Sequence, residues 1–426
     1  MAAPAHNTTG RFYRHALVFT AASLTASAVN YLYYPVMARL MGVVSYGELQ
    51  LVTSFILQLT TIYLTLNIIN VNIVANHEET AGRELMSALQ KTIFWLVVLL
   101  CAVLAVASGA IEGFFHFSSV WPFLLIIPIL LIDTASIFWT GYLQGHHEFG
   151  TLSLYTITVA GGKLLISVAL VALGLGVSGG VLGIAAGLAL GLLLVRLASR
   201  KALPALLPTL ALPAAADWLV VREHLVYVIE VLIGLVSMGV LLSVDVLVVK
   251  HSFPPEFAGH YAGIATVARI IFFATAPLVM VMLPLVKLND RAASEAAFRR
   301  ALGLSALVCA AGLVLFSVAA RPIIGLLMGP SFTSFAHWLP LISIIVVLFT
   351  FTNLMVNYLL ALRSHWSIAV SLTSLAAGIG LISWHHATIP QIVASASTGL
   401  FIGQLVFWLS RFVTRPQPAQ SQPGPR

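Results

Sequence analysis

Apolar stretches of about twenty residues, parted by short polar breaks, recur along this chain, and that run-length limits what it can fold into. They lie at Ala16–Leu40, Tyr46–Ala75, Thr92–Ile111, Val120–Leu143, Leu152–Leu173, Val181–Leu197, His224–Val249, Gly259–Val286, Ala301–Ala319, Leu339–Leu362, Ser367–Ser383 and Ile389–Leu409. Each is long enough to cross a hydrocarbon layer as a helix. The runs are continuous and Leu/Ala-rich, without the period-two alternation of a membrane barrel. Hydrophobic residues make up 60% of the 426 and charged residues only 8%. A water-soluble domain carries about 25% charge, so that class is excluded. The expectation is an all-α polytopic membrane protein with twelve transmembrane helices.

The first stretch has features of a signal peptide, with Arg11 and Arg14 before it and Ala26-Ser27-Ala28 inside it. Its apolar run continues past that site to Leu40, so it reads as an uncleaved first helix. With the amino terminus in the cytoplasm, sixteen of the 21 Lys and Arg residues fall on the cytoplasmic side. Arg39, Lys250 and Arg321 stay outside, and Lys163 and Arg269 lie within spans. That imbalance puts both termini inside. It also explains the net charge of +7 without a nucleic-acid partner. Expected boundaries are a cytoplasmic amino terminus (1–14), a six-helix bundle (15–197), a cytoplasmic linker (198–223), a second six-helix bundle (224–410) and a disordered cytoplasmic tail (411–426). The linker carries Pro204, Pro208 and Pro213. No connection is long enough for a catalytic domain, so no enzyme is expected. Cys101 and Cys309 both sit in apolar runs, as small core side chains do.

The two halves echo each other. "NYLYYPVMARLMGVVSYGELQLV" (30–52) finds a counterpart in "VDVLVVKHSFPPEFAGHYAGIATVARI", with Arg39 matching Lys250 and Gly47 matching Gly259. A weaker echo pairs "GYLQGHHEF" with "NYLLALRSHW". Six spans per half preserve orientation, so the halves should be related by a pseudo-two-fold axis along the membrane normal. Arg39 then ends the first span, the glycines make the tight turn, and each half places one cation near the outer mouth.

These segments, with "LQGHHEFGTLS" and "RPIIGLLMGPSFTSFAHW", resemble recurring segments of bacterial polysaccharide-transporter flippases. That family includes the O-antigen flippases and belongs to the multidrug/oligosaccharidyl-lipid/polysaccharide superfamily. The resemblance covers about residues 11 to 412. It implies two six-helix bundles in a V, moving lipid-linked sugars by alternating access across the bacterial inner membrane.

Charge inside a span costs roughly 2.5–3.5 kcal/mol on insertion scales, so such residues face a partner or a cavity. Asp133 and Lys163 fall at similar depth on consecutive helices, and Asp245 and Arg269 could do the same in the second half. Each pair reads either as an internal ion pair or as function. In the functional reading Arg39, Lys163, Lys250 and Arg269 meet a phosphate or sugar, and Asp133, Glu230 and Asp245 serve proton or sodium coupling. No other cofactor is expected. Arg39 and Lys250 also read as interfacial anchors. His146-His147-Glu148 and His385-His386 look like ligands, but neighbours in sequence point to different faces, so no metal site is expected. Gly179, Gly183, Gly187 and Gly191 recur at every fourth residue, a close-packing stripe. Pro35, Pro128 and Pro277 sit where kinks form. The leading functional reading is a flippase for a polyprenyl-linked oligosaccharide, with membrane lipids and other polysaccharide-assembly proteins as partners. A cation-coupled multidrug exporter and a membrane glycan polymerase or ligase are the alternatives.

Overall fold

The computed structural model describes residues 6–76, 79–146, 148–198, 233–287 and 290–413. A helix or a broken pair of helices lies over the described part of each apolar stretch. They are α1 (His6–Met41), α2 (Val43–Asn76), α3 (Glu79–Phe115), α4 (Trp121–Leu124), α5 (Ile126–Gly145), α6 (Phe149–Leu170) and α7 (Gly176–Ala198). After the linker come α8 (Ile233–Leu241), α9 (Val244–Ser252), α10 (Pro255–Ala268), α11 (Ile270–Met282), α12 (Arg291–Leu327), α13 (Leu339–Ala361), α14 (Trp366–Trp384) and α15 (Ile389–Val413). Among the described residues eight helices are long and apolar enough to cross a membrane, or nine if the bent pair α8–α9 forms one span.

One of the eight, Phe149–Leu197, is a hairpin. Gly174 (φ 90) and Gly176 (φ 51) take left-handed values between α6 and α7, which only glycine adopts at no steric cost. The glycine stripe of α7 then runs antiparallel along α6. Gly183 faces the backbone of Ser167, Gly187 that of Lys163, and Gly191 the side chain of Val159. A Cβ on Gly187 would lie 2.9 Å from the Lys163 Cα, so any larger residue drives the helices apart. The second half repeats the device with other residues. Gly399 of α15 meets the backbone of Gly378 in α14, and Gly403 meets Ser374.

The chain divides into two compact units that do not follow its halves. The first joins the chain up to α7 with Val249–Val267 and Arg321–His337; the second comprises Ile233–Val248, Ala268–Ala320 and the chain from Trp338 onward. In the first unit α1 packs on α6, and α2 on α5 and α7. In the second, α14 and α15 pack together against α13.

The breaks differ from those expected. Gly42 alone (φ 75) separates α1 from α2, whereas Gly47 lies inside α2. The chain breaks at Leu125, and Pro128 falls in the first turn of α5, where its missing N–H costs nothing. In the second half α8 and α9 meet at 49°, and α10 gives way to α11 at Arg269 rather than at Pro277. Expected linker 198–223 and Glu230 lie outside the described residues, apart from Ala198.

Candidate functional site

Three groups of charges in the described helices involve the expected site residues. The first lies in the first unit, where segments from both halves of the chain meet. Gly47 and Gly259, matched by the sequence echo, touch: a Cβ on Gly47 would lie 2.7 Å from the Gly259 Cα. Tyr46 donates from its hydroxyl to Thr266 Oγ1 at 3.0 Å and packs edge-on against Phe332. Beside them Lys250 is only 3% exposed, with its Nζ 3.9 Å from Glu48 Oε1 and 5.1 Å from the Phe117 ring. Glu48 is itself buried and accepts from the Ser118 backbone N–H at 3.2 Å and the Ser118 hydroxyl at 3.0 Å. Lys250 is thus a neutralised core cation and not an interfacial anchor. Arg39, by contrast, is exposed and donates to the carbonyls of Gly325 and Leu326. Glu48 thus offsets the charge of Lys250, whereas Arg39 is held by neutral carbonyls.

The second group surrounds Lys163, inside α6. Its ammonium donates to Asn30 Oδ1 at 3.2 Å. It lies 4.2 Å from the centroid of the Tyr33 ring and 5.6 Å from that of Tyr34. Asn30, Tyr33 and Tyr34 are spaced i, i+3, i+4, which gathers them on one face of α1. No carboxylate contacts Lys163 among the described residues. Asp133, at similar depth on α5, does not pair with it. Asp133 is half-buried beside Tyr63 and Tyr155 and makes no ion pair among the described residues. Tyr63 spends its own hydroxyl on Leu130 O and Thr134 Oγ1, each at 2.9 Å.

The third group, in the second unit, is an internal tie. Arg269 and Asp245 are both buried and lie 3.8 Å apart. Arg269 Nη2 also donates to Leu242 O at 2.8 Å. Leu242 sits in the break between α8 and α9, and Arg269 in the break between α10 and α11. One guanidinium therefore takes up a carbonyl freed by one break while standing in another, a pattern that lets irregular backbone persist at membrane depth.

Of the expected site residues, then, the structure seats Lys250 against Glu48, Arg269 against Asp245, Arg39 on backbone carbonyls, and Lys163 on an amide and aromatic rings. Ser118, Asn30 and Tyr33 went unassigned in the sequence, although the i, i+3, i+4 spacing of Asn30, Tyr33 and Tyr34 was a visible signal. Among the described residues no three His, Cys, Asp or Glu side chains gather as metal ligands.

No protein-family model matches the sequence, and no curated protein matches it. Solved structures do share its fold. A structure described as the inward-facing conformation of a multidrug resistance MATE family transporter of the MOP superfamily aligns with TM-score 0.69 at 12% identity, covering 93% of this chain and 98% of that one. The lipid II flippase MurJ, in an inward closed conformation, aligns with TM-score 0.68 at 13% identity over 93% of this chain and 87% of that one. A MOP superfamily transporter from Pyrococcus furiosus, described as having a binding pocket of reverse polarity, aligns with TM-score 0.54 at 12% identity over 94% and 95%. The chain has the fold of these membrane transporters.

Proposed function

We propose that this protein is a flippase of the same superfamily, carrying a polyprenyl-(pyro)phosphate-linked oligosaccharide across the bacterial inner membrane for cell-surface polysaccharide assembly. It would do so by alternating access, with twelve spans in two halves and both termini in the cytoplasm. The observation that carries this reading is the seat of Lys163. A cation inside a span, facing rings and an amide instead of a carboxylate, keeps an undischarged positive charge where the lipid headgroup must pass. A phosphate discharges it; a cationic drug is repelled by it. The Gly47–Gly259 seam, with Lys250 held by Glu48, serves as the closed outer gate.

A second reading, a cation-coupled multidrug exporter, is favoured by Asp133, a carboxylate within a span that makes no ion pair among the described residues. In the flippase Asp133 serves proton or sodium coupling instead.

The test is a deletion strain. Lipid-linked sugar should accumulate on the cytoplasmic face and clear when the wild-type gene is restored, while the Lys163→Ala protein reaches the membrane and does not clear it. Unchanged lipid-linked sugar in the deletion strain, together with raised sensitivity to cationic drugs, would decide for the exporter.

A further inference from the structure

The Lys163 seat is more elaborate than a lysine needs merely to be buried. The Tyr33 ring beneath the ammonium is fully buried, and its hydroxyl donates to Gly180 O at 3.0 Å. The same carbonyl accepts from Ser167 Oγ at 3.0 Å. Gly180 lies on α7, Ser167 on α6 and Tyr33 on α1, so three helices converge on one oxygen. Against the backbone of Lys163 itself lies Gly187, which fixes where the lysine side chain leaves α6.

An aromatic face attracts an ammonium through its quadrupole without neutralising it. A carboxylate in the same place would hold the lysine equally well but would cancel its charge and repel an arriving anion. We propose that Tyr33 is the positioning residue of a phosphate site, its anchored ring holding the Lys163 ammonium in place with its charge available to a diphosphate group. This rests on the reading that Lys163 meets the headgroup. Tyr33 does not itself touch the phosphate. It acts by removing the lysine's freedom before the ligand arrives, so that less of the interaction is lost to ordering.

The experiment uses the full-length protein in lipid nanodiscs, with farnesyl diphosphate as the probe and inorganic pyrophosphate as competitor. Lys163→Gln should weaken farnesyl diphosphate binding about tenfold or more. Tyr33→Phe keeps the ring and sets the baseline for mono-, di- and trifluorinated phenylalanine placed at position 33. Fluorine drains the ring face of negative potential at nearly constant volume. Affinity should therefore fall stepwise along the series, by about threefold to thirtyfold in total, with thermal unfolding unchanged. A ring that only filled space would give a flat series. A flat series beside a clear loss in Lys163→Gln would overturn the role of Tyr33 and leave the headgroup reading standing. Wild-type binding by Lys163→Gln would overturn both. Equal competition by free pyrophosphate and by the prenylated probe would show that the site reads the diphosphate alone.

Discussion

Lys163, inside α6 of the first unit, and Arg269, at the break between α10 and α11 of the second, are both cations within apolar stretches, and they are satisfied in opposite ways. Arg269 is tied to a carboxylate and to a backbone carbonyl released by a helix break. Lys163 rests on Asn30 and on aromatic faces. The first arrangement cancels charge and holds bent helices together; the second keeps charge and holds it still. An intramembrane cation is thus not a sign of binding in itself. What surrounds it separates a structural cation from an available one.

The sharpest way to break this contrast is to delete each cation. Arg269→Ala leaves Asp245 buried without its cation and Leu242 O without its donor. Removing one partner of a buried pair costs about 3–5 kcal/mol, so folded protein in the membrane should fall steeply. Lys163→Ala strands no ion pair among the described residues. It should accumulate as wild type does while the proposed export of lipid-linked glycan is lost, as membrane immunoblots beside export assays would show. Equal abundance of the two variants would erase the distinction.

The next effect sharpens the Arg269 side. Replacing both partners, as Arg269→Met with Asp245→Leu, removes the stranded charge along with the pair. Such replacements are often neutral in stability, so abundance should recover most of what Arg269→Ala lost, and export should return with it. Recovered abundance without export would place Arg269 in substrate handling.

A smaller effect tests the backbone beneath Lys163. Gly187→Ala forces a Cβ to 2.5 Å from the Lys163 N and 2.9 Å from its Cα. Overpacking of this kind costs about 1–3 kcal/mol and should lower the thermal midpoint and weaken export. Gly161→Ala, where nothing lies within 4 Å of the added Cβ, should change neither. A normal melting curve for Gly187→Ala would mean that the hairpin yields more readily than its packing implies.

The sequence made some of this legible because certain signals are one-dimensional. Run-length located the helices, and the every-fourth glycines of α7 announced close packing. The echo of Gly47 in Gly259 anticipated two residues that touch. Pairing among charges was hidden because it also depends on azimuth and on neighbouring helices. Asp133 and Lys163 agree in depth, yet they do not pair. Asp245 and Arg269, no better marked, do. The breaks were hidden for a related reason. Prolines drew attention to Pro128 and Pro277, but α10 ends at Arg269. No sequence pattern announces that a carbonyl freed in one helix, Leu242 O, finds its donor in another.

The smallest expected effect comes from exchanging the two cation types while keeping both charges. At position 269 a lysine keeps a positive charge near Asp245 but replaces a planar fork with a compact head. It cannot easily reach Leu242 O and stay beside the carboxylate, so one hydrogen bond is lost, worth about 1 kcal/mol. Arg269→Lys should therefore lower the thermal midpoint by a few degrees and leave export measurable. At position 163 a guanidinium stacks well on an aromatic face and binds phosphate through two parallel donors. Lys163→Arg should keep export within a few-fold of wild type, unlike Lys163→Ala. Parallel melting curves and export rates on the two exchanges give the comparison its finest reading. Position 269 should respond in stability and position 163 in transport, and a reversal of that order would mean that the roles assigned to the two cations are interchanged.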